Sequence, residues 1–134
     1  MCRIEYIFAL IIATCLAAMP HGALAQAGAS LEELSAALSQ AKTDEEKAGA
    51  GLALAKYYKN INDSKCVTYG LPAVKKAQKA KLDLMAAELN GIVGDYYFDN
   101  KYYKFAVAPL EDEYSIEKRL LKAVPRSQTC YKLG

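Results

Sequence analysis

Residues 41–58 read AKTDEEKAGAGLALAKYY, and residues 80–97 read AKLDLMAAELNGIVGDYY. Laid over one another without a gap, they match Ala41 with Ala80, Lys42 with Lys81, Asp44 with Asp83 and Ala48 with Ala87. The pair Tyr57-Tyr58 falls on Tyr96-Tyr97. The offset is 39 residues, and it holds downstream, where Lys65 meets Lys104, Leu71 meets Leu110, Lys79 meets Lys118 and Leu82 meets Leu121. Apolar residues inside the repeat recur at helical spacing: Ala48, Leu52 and Ala55, then Met85, Leu89, Ile92 or Val93, and Tyr96. A period near 40 in a helical chain means stacked helix–turn–helix units, each burying its surplus apolar face on its neighbour.

The flanking residues agree with helices. Ser30-Leu31-Glu32-Glu33 and Thr43-Asp44-Glu45-Glu46 are capping boxes, in which the hydroxyl accepts from the third helical N–H and that residue's carboxylate reaches back to the cap. Asp83 is expected to cap a further helix, and Asn62-Asp63 and Asp99-Asn100 mark turns. No strand-like alternation is present, so the expected class is all-α, a short stack of antiparallel helix–turn–helix units. Pro72 and Pro109 fall where second helices should run. A proline inside a helix removes one hydrogen bond, so these helices are expected to kink or to begin later, and Gly70 beside Pro72 points to a break.

The N-terminal residues read as an address. Arg3 gives a short polar start, residues 6–19 are almost unbroken apolar, Pro20, His21 and Gly22 break the run, and Ala23-Leu24-Ala25 offers small residues for a signal peptidase. The apolar run is shorter than the ~20 residues needed to span a bilayer. The expected organisation is a secretory signal over 1–25, a helical domain over 26–123 and a tail over 124–134. Export to the periplasm or the outside follows. Cleavage would remove Cys2 and Cys15 and leave Cys66 and Cys130. An even count in an exported chain permits one disulfide between them. The alternative is two free thiols, with Cys66 buried as a small apolar residue.

The chain has 134 residues, is 53% hydrophobic and 24% charged, and carries a formal charge of +2. That suits one small globular domain and does not suit a disordered tail or a strongly basic nucleic-acid binder. Its single histidine is His21. Once the signal is removed no imidazole remains, which excludes a Ser-His-Asp triad, a Cys-His dyad and His-ligated zinc or haem. No phosphate loop, zinc spacing or nucleophile with a partnered base is present. No catalytic residue, metal ligand or cofactor is therefore expected. Contiguous Glu111, Asp112 and Glu113 point in different directions on a helix and make a poor metal set.

The residues Val93-Gly94-x-x-Tyr97, then Tyr103, Ala106 and Leu110, are similar to the tetratricopeptide repeat (TPR) pattern. A weaker copy is Leu54-Ala55-x-x-Tyr58, Ser64, Val67 and Leu71. The resemblance covers residues 30–123, and its 39-residue spacing looks like the longer-helix variety often found in exported or sensor segments of bacterial signalling proteins. It implies a stack whose concave groove takes a protein or peptide. Tyr58 and Tyr97 are assigned to packing, and Gly94 and Ala55 to close helix approach. Tyr57, Tyr69, Tyr96 and Tyr103 are expected to line the groove, because exposed aromatics anchor partners. Lys75 and Lys79, with Lys76 and Lys81, form a basic group that is either a contact for an acidic partner or a solvated face.

The expected function is an exported protein- or peptide-binding module, with self-association able to cap so short a stack. The alternative is a secreted structural bundle closed through Cys66 and Cys130, with no groove in use.

Overall fold

The computed structural model describes residues 28–121. They form α1 (Leu31–Gln40), α2 (Asp44–Asn60), α3 (Lys65–Lys79), α4 (Asp83–Asp99) and α5 (Tyr103–Leu121). Among the described residues there is no strand, and the fold is all-α. The helix boundaries obey the repeat. α4 begins and ends 39 residues after α2.

Both expected capping boxes are formed. The Glu33 N–H donates to Ser30 Oγ at 3.3 Å and the Ser30 N–H to Glu33 Oε2 at 2.8 Å. Thr43 and Glu46 make the same exchange at the head of α2. The assignment of Asp83 as a cap is corrected. Leu82 occupies the cap position and makes no side-chain cap bond. Asp83 is already inside the first turn, where its carboxylate accepts from Arg119 at 2.7 Å.

Three turns share one closing motif. Asn62, Lys81 and Lys101 adopt left-handed backbone, with φ of 54°, 58° and 65°. Each is followed by an N–H that reaches back to the carbonyl five residues earlier: Asp63 to Tyr58 at 2.9 Å, Leu82 to Ala77 at 2.8 Å and Tyr102 to Tyr97 at 2.7 Å. This is the Schellman arrangement, which satisfies carbonyls that a helix end would leave open. The first and third turns are one period apart, so the repeat extends to backbone geometry.

Successive helices pack on one another, and α2 also packs against α4. That last contact distinguishes a stack of hairpins from a plain up-and-down row. The core runs through Ala48, Leu52, Ala55, Ala73, Val74, Ala77, Ala86 and Leu89. Its alanines let helix axes approach closely. A second cluster, Leu34, Leu54, Tyr58 and Cys66, ties α1 to α2 and α3. Gly94 has the role its place in the pattern implies, since a Cβ there would lie 2.7 Å from Leu110. Leu110 and Ala106 are buried, whereas Leu71, the counterpart of Leu110, is exposed. The second unit therefore follows the pattern more closely than the first.

The expected break at Pro72 is also corrected. α3 runs unbroken through Pro72 and α5 through Pro109, and neither helix begins later than its proline. Gly70 does not interrupt α3. It is buried, and its missing side chain makes room for Val93 of α4, which a Cβ would meet at 2.6 Å.

Candidate functional site

α2 and α4 are the first helices of their units, and their adjacency leaves a groove between them. It encloses about 270 Å³ and is lined by Lys56, Lys59, Asn60, Glu88, Gly91, Ile92 and Asp95. Gly91 is buried and Ile92 half-buried, so the floor is apolar. The walls are charged and tied across the gap. Lys56 Nζ lies 2.6 Å from Glu88 Oε1. Lys59 Nζ lies 3.7 Å from Asp95 and 3.2 Å from Asp99. Beyond the groove, Asn62 and Asn100 exchange amide hydrogen bonds at 3.3 and 2.8 Å and hold the two turns side by side. The volume is below the ~300–1,000 Å³ of small-molecule sites. It suits one inserted side chain between charges that its neighbours can meet.

Sequence reasoning missed these charged residues, although a signal was available. Lys56 and Asp95 occupy the same place in the two units, one period apart. With the two first helices side by side, both residues reach the gap, Lys56 to Glu88 and Asp95 to Lys59.

The tyrosines are distributed differently from the groove residues. Tyr58 is buried, with Tyr69 stacked on it at 5.5 Å and Tyr57 edge-on at 5.3 Å. Tyr57, Tyr69 and Tyr96 are half-buried and pack against the cluster of Leu34, Leu54, Tyr58 and Cys66. Burial pushes the Tyr96 phenol above its ordinary pKa, and the neighbouring Cys66 and Tyr102 add to the rise. The structure thus brings three of the four singled-out tyrosines to one cluster. Tyr103 stands apart, exposed and edge-on to Phe98 at 5.4 Å. Tyr97, assigned to packing, is half-buried beside Phe105.

Of the lysines, Lys75 is exposed. Lys79 and Lys76 reach from α3 to the head of α2, where they lie 2.8 and 2.9 Å from the two oxygens of Asp44. Those ammonium groups, Lys79 first, pull the Asp44 carboxyl down to about 2, and Asp44 in turn raises Lys79.

Cys66 is buried with a free thiol, and burial raises its pKa to about 11. A thiol so placed is a poor nucleophile. Cys130, the other half of the expected disulfide, lies outside the described residues, as do the signal segment over 1–25 and the tail over 124–134.

α4 and α5 bury two polar residues, Asn90 and Glu113, where the preceding unit has Gly51 and Val74. Asn90 Nδ2 finds no hydrogen-bond partner among the described residues. Glu111 and Asp112 are exposed while Glu113 is buried, so the three carboxylates diverge, and the described residues contain no group able to hold a metal. No helix among them is long and apolar enough to cross a membrane.

No family model matches this chain, and neither a curated protein nor a solved structure is significantly similar to it.

Proposed function

We propose that this chain is an exported, TPR-like binding module that receives a segment of another protein in the groove between α2 and α4. The observation that carries the reading is the groove itself: an apolar floor at Gly91 and Ile92, flanked by Lys56–Glu88 and Lys59–Asp95. A partner segment presents one apolar side chain to Ile92. Its flanking charges exchange with the wall pairs, which are partly solvated and cost little to open. The tetratricopeptide likeness rests on the 39-residue period, the Gly94–Leu110 contact and the side-by-side first helices. Export rests on the order of residues 1–25.

A second reading is a structural helical bundle. The packing of Tyr57, Tyr69 and Tyr96 against the core cluster favours it, because it leaves those rings less able to anchor a partner. Selection from a random peptide display library on the immobilised chain separates the two. The binding reading expects enriched peptides that share an apolar residue beside a charge. Their retention should fall at least about tenfold on Lys56→Glu, since reversing a wall charge opposes the complementary one. No enrichment, or enrichment indifferent to Lys56→Glu, overturns the groove and leaves the bundle.

A further inference from the structure

The α2–α3 and α4–α5 turns share a backbone but not a surface. Asn62 and Lys101 close them in the same Schellman form, and the Asn62–Asn100 amide bonds hold them side by side at one end of the stack. The first turn is polar, with Lys59, Asn62, Asp63 and Ser64, and Thr68 follows one turn into α3. One period on, the same places hold Phe98, Lys101, Tyr102, Tyr103 and Val107. The first turn reaches its geometry without aromatic rings, so the second does not need them to form. Tyr102, Tyr103 and Phe105 are nonetheless more than half exposed, as is Ile61 of the neighbouring turn. Tyr103 is braced edge-on against Phe98 at 5.4 Å, and Phe105 lies against Tyr97 at 5.7 Å. Each ring keeps one side on protein and turns the other to water, already ordered for a contact.

The charge at this end selects the partner. Residues 59–65 and 98–104 carry Lys59, Lys65, Lys101 and Lys104 against Asp63 and Asp99. Both aspartates are engaged locally, Asp99 with Lys59 at 3.2 Å and Asp63 with the Lys65 N–H at 2.8 Å. Lys101 and Lys104 are exposed and make no salt bridge among the described residues. We propose that this end of the stack docks on an anionic lipid surface. The Tyr102 and Tyr103 phenols suit the headgroup level, where one end of a ring is apolar and the other wet. Phe105 and Ile61 enter the acyl boundary, and Lys101 and Lys104 meet the headgroup phosphates. The contact is peripheral, since no described helix is long and apolar enough to cross a membrane. It does not depend on the groove between α2 and α4, and its test reads lipid rather than peptide binding.

Vesicle flotation of the exported chain tests it, with phosphatidylcholine alone and with phosphatidylcholine carrying about 30 mol% phosphatidylglycerol. The proposal expects binding to the second at least about tenfold tighter than to the first. The variants copy the first turn into the second, so the fold is known to accept them there: Lys101→Asn, Tyr102→Asp and Tyr103→Ser. Lys101→Asn should weaken binding about fivefold, the usual effect of one lysine at an anionic surface. Tyr102→Asp and Tyr103→Ser should each weaken it at least about tenfold. Leu84→Ser, an equally exposed apolar site at the far end of α4, should leave it unchanged. Circular dichroism should be unchanged throughout. A chain that stays with the protein fraction overturns the proposal, whether the tip serves another protein or none. So does binding indifferent to phosphatidylglycerol, binding that ignores the three copied residues, or binding that Leu84→Ser weakens as much as they do.

Discussion

Gly49 and Gly51 stand two residues apart on α2 under opposite constraints. A Cβ at Gly51 would lie 2.5 Å from the Ala73 Cβ and 3.4 Å from the Tyr69 carbonyl, so α3 must move to admit it. A Cβ at Gly49 would meet nothing within 4 Å. Gly51→Ala is therefore expected to destabilise by about 1–3 kcal/mol, the usual cost of overpacking. Gly49→Ala should stabilise by about 0.5–1 kcal/mol through helix propensity and a less free unfolded chain. Urea denaturation of the two variants checks both signs. At this scale the sequence was partly legible. The likeness at Val93-Gly94-x-x-Tyr97 located the close contact of Gly94 with Leu110. It did not reveal the need at Gly51, because Asn90 stands at that place in the next unit and the packing partner changes with it.

At the scale of the helices, the capping boxes placed the starts of α1 and α2 because both halves of each box are local in sequence. The prolines misled, because a helix clamped on both sides tolerates a missing N–H that an isolated one would not. α3 carries that cost at Pro72, which is exposed and takes no part in the core. Pro72→Ala should return a donor to the turn and stabilise the chain by about 1–3 kcal/mol, read from the urea midpoint. The tie between α2 and α3 through Asp44 titrates. Asp44 is lowered in the folded chain, from 3.8 to about 2, so its contribution is complete above pH 4 and is lost as pH falls through that window. Stability curves of the parent and Asp44→Asn should differ at pH 6 and converge toward pH 2. A gap as wide at pH 2 as at pH 6 would mean that Asp44 acts through something other than its charge.

At the scale of the whole molecule, the period of 39 residues made the all-α stack readable, since one translation aligns caps, apolar faces and turns at once. The candidate groove was less readable. Adjacent tyrosines drew the eye, yet whether a ring faces a gap or a core depends on α1, whose Leu34 covers the tyrosine end of α2. The charged wall depends on a contact between helices two apart in the chain, which no local pattern announces. Buried Asn90 and Glu113 escaped for the same reason: their burial is set by how α5 lies on α4.

On the proposed function, the α2–α4 groove, and not the tyrosine cluster, receives the partner. Backbone amide chemical shifts followed by NMR during titration with a peptide enriched by display test it most directly. The largest changes are expected on Lys56, Lys59, Asn60, Glu88, Ile92 and Asp95. Changes centred on Tyr57, Tyr69 and Tyr96, or on α5, would contradict it.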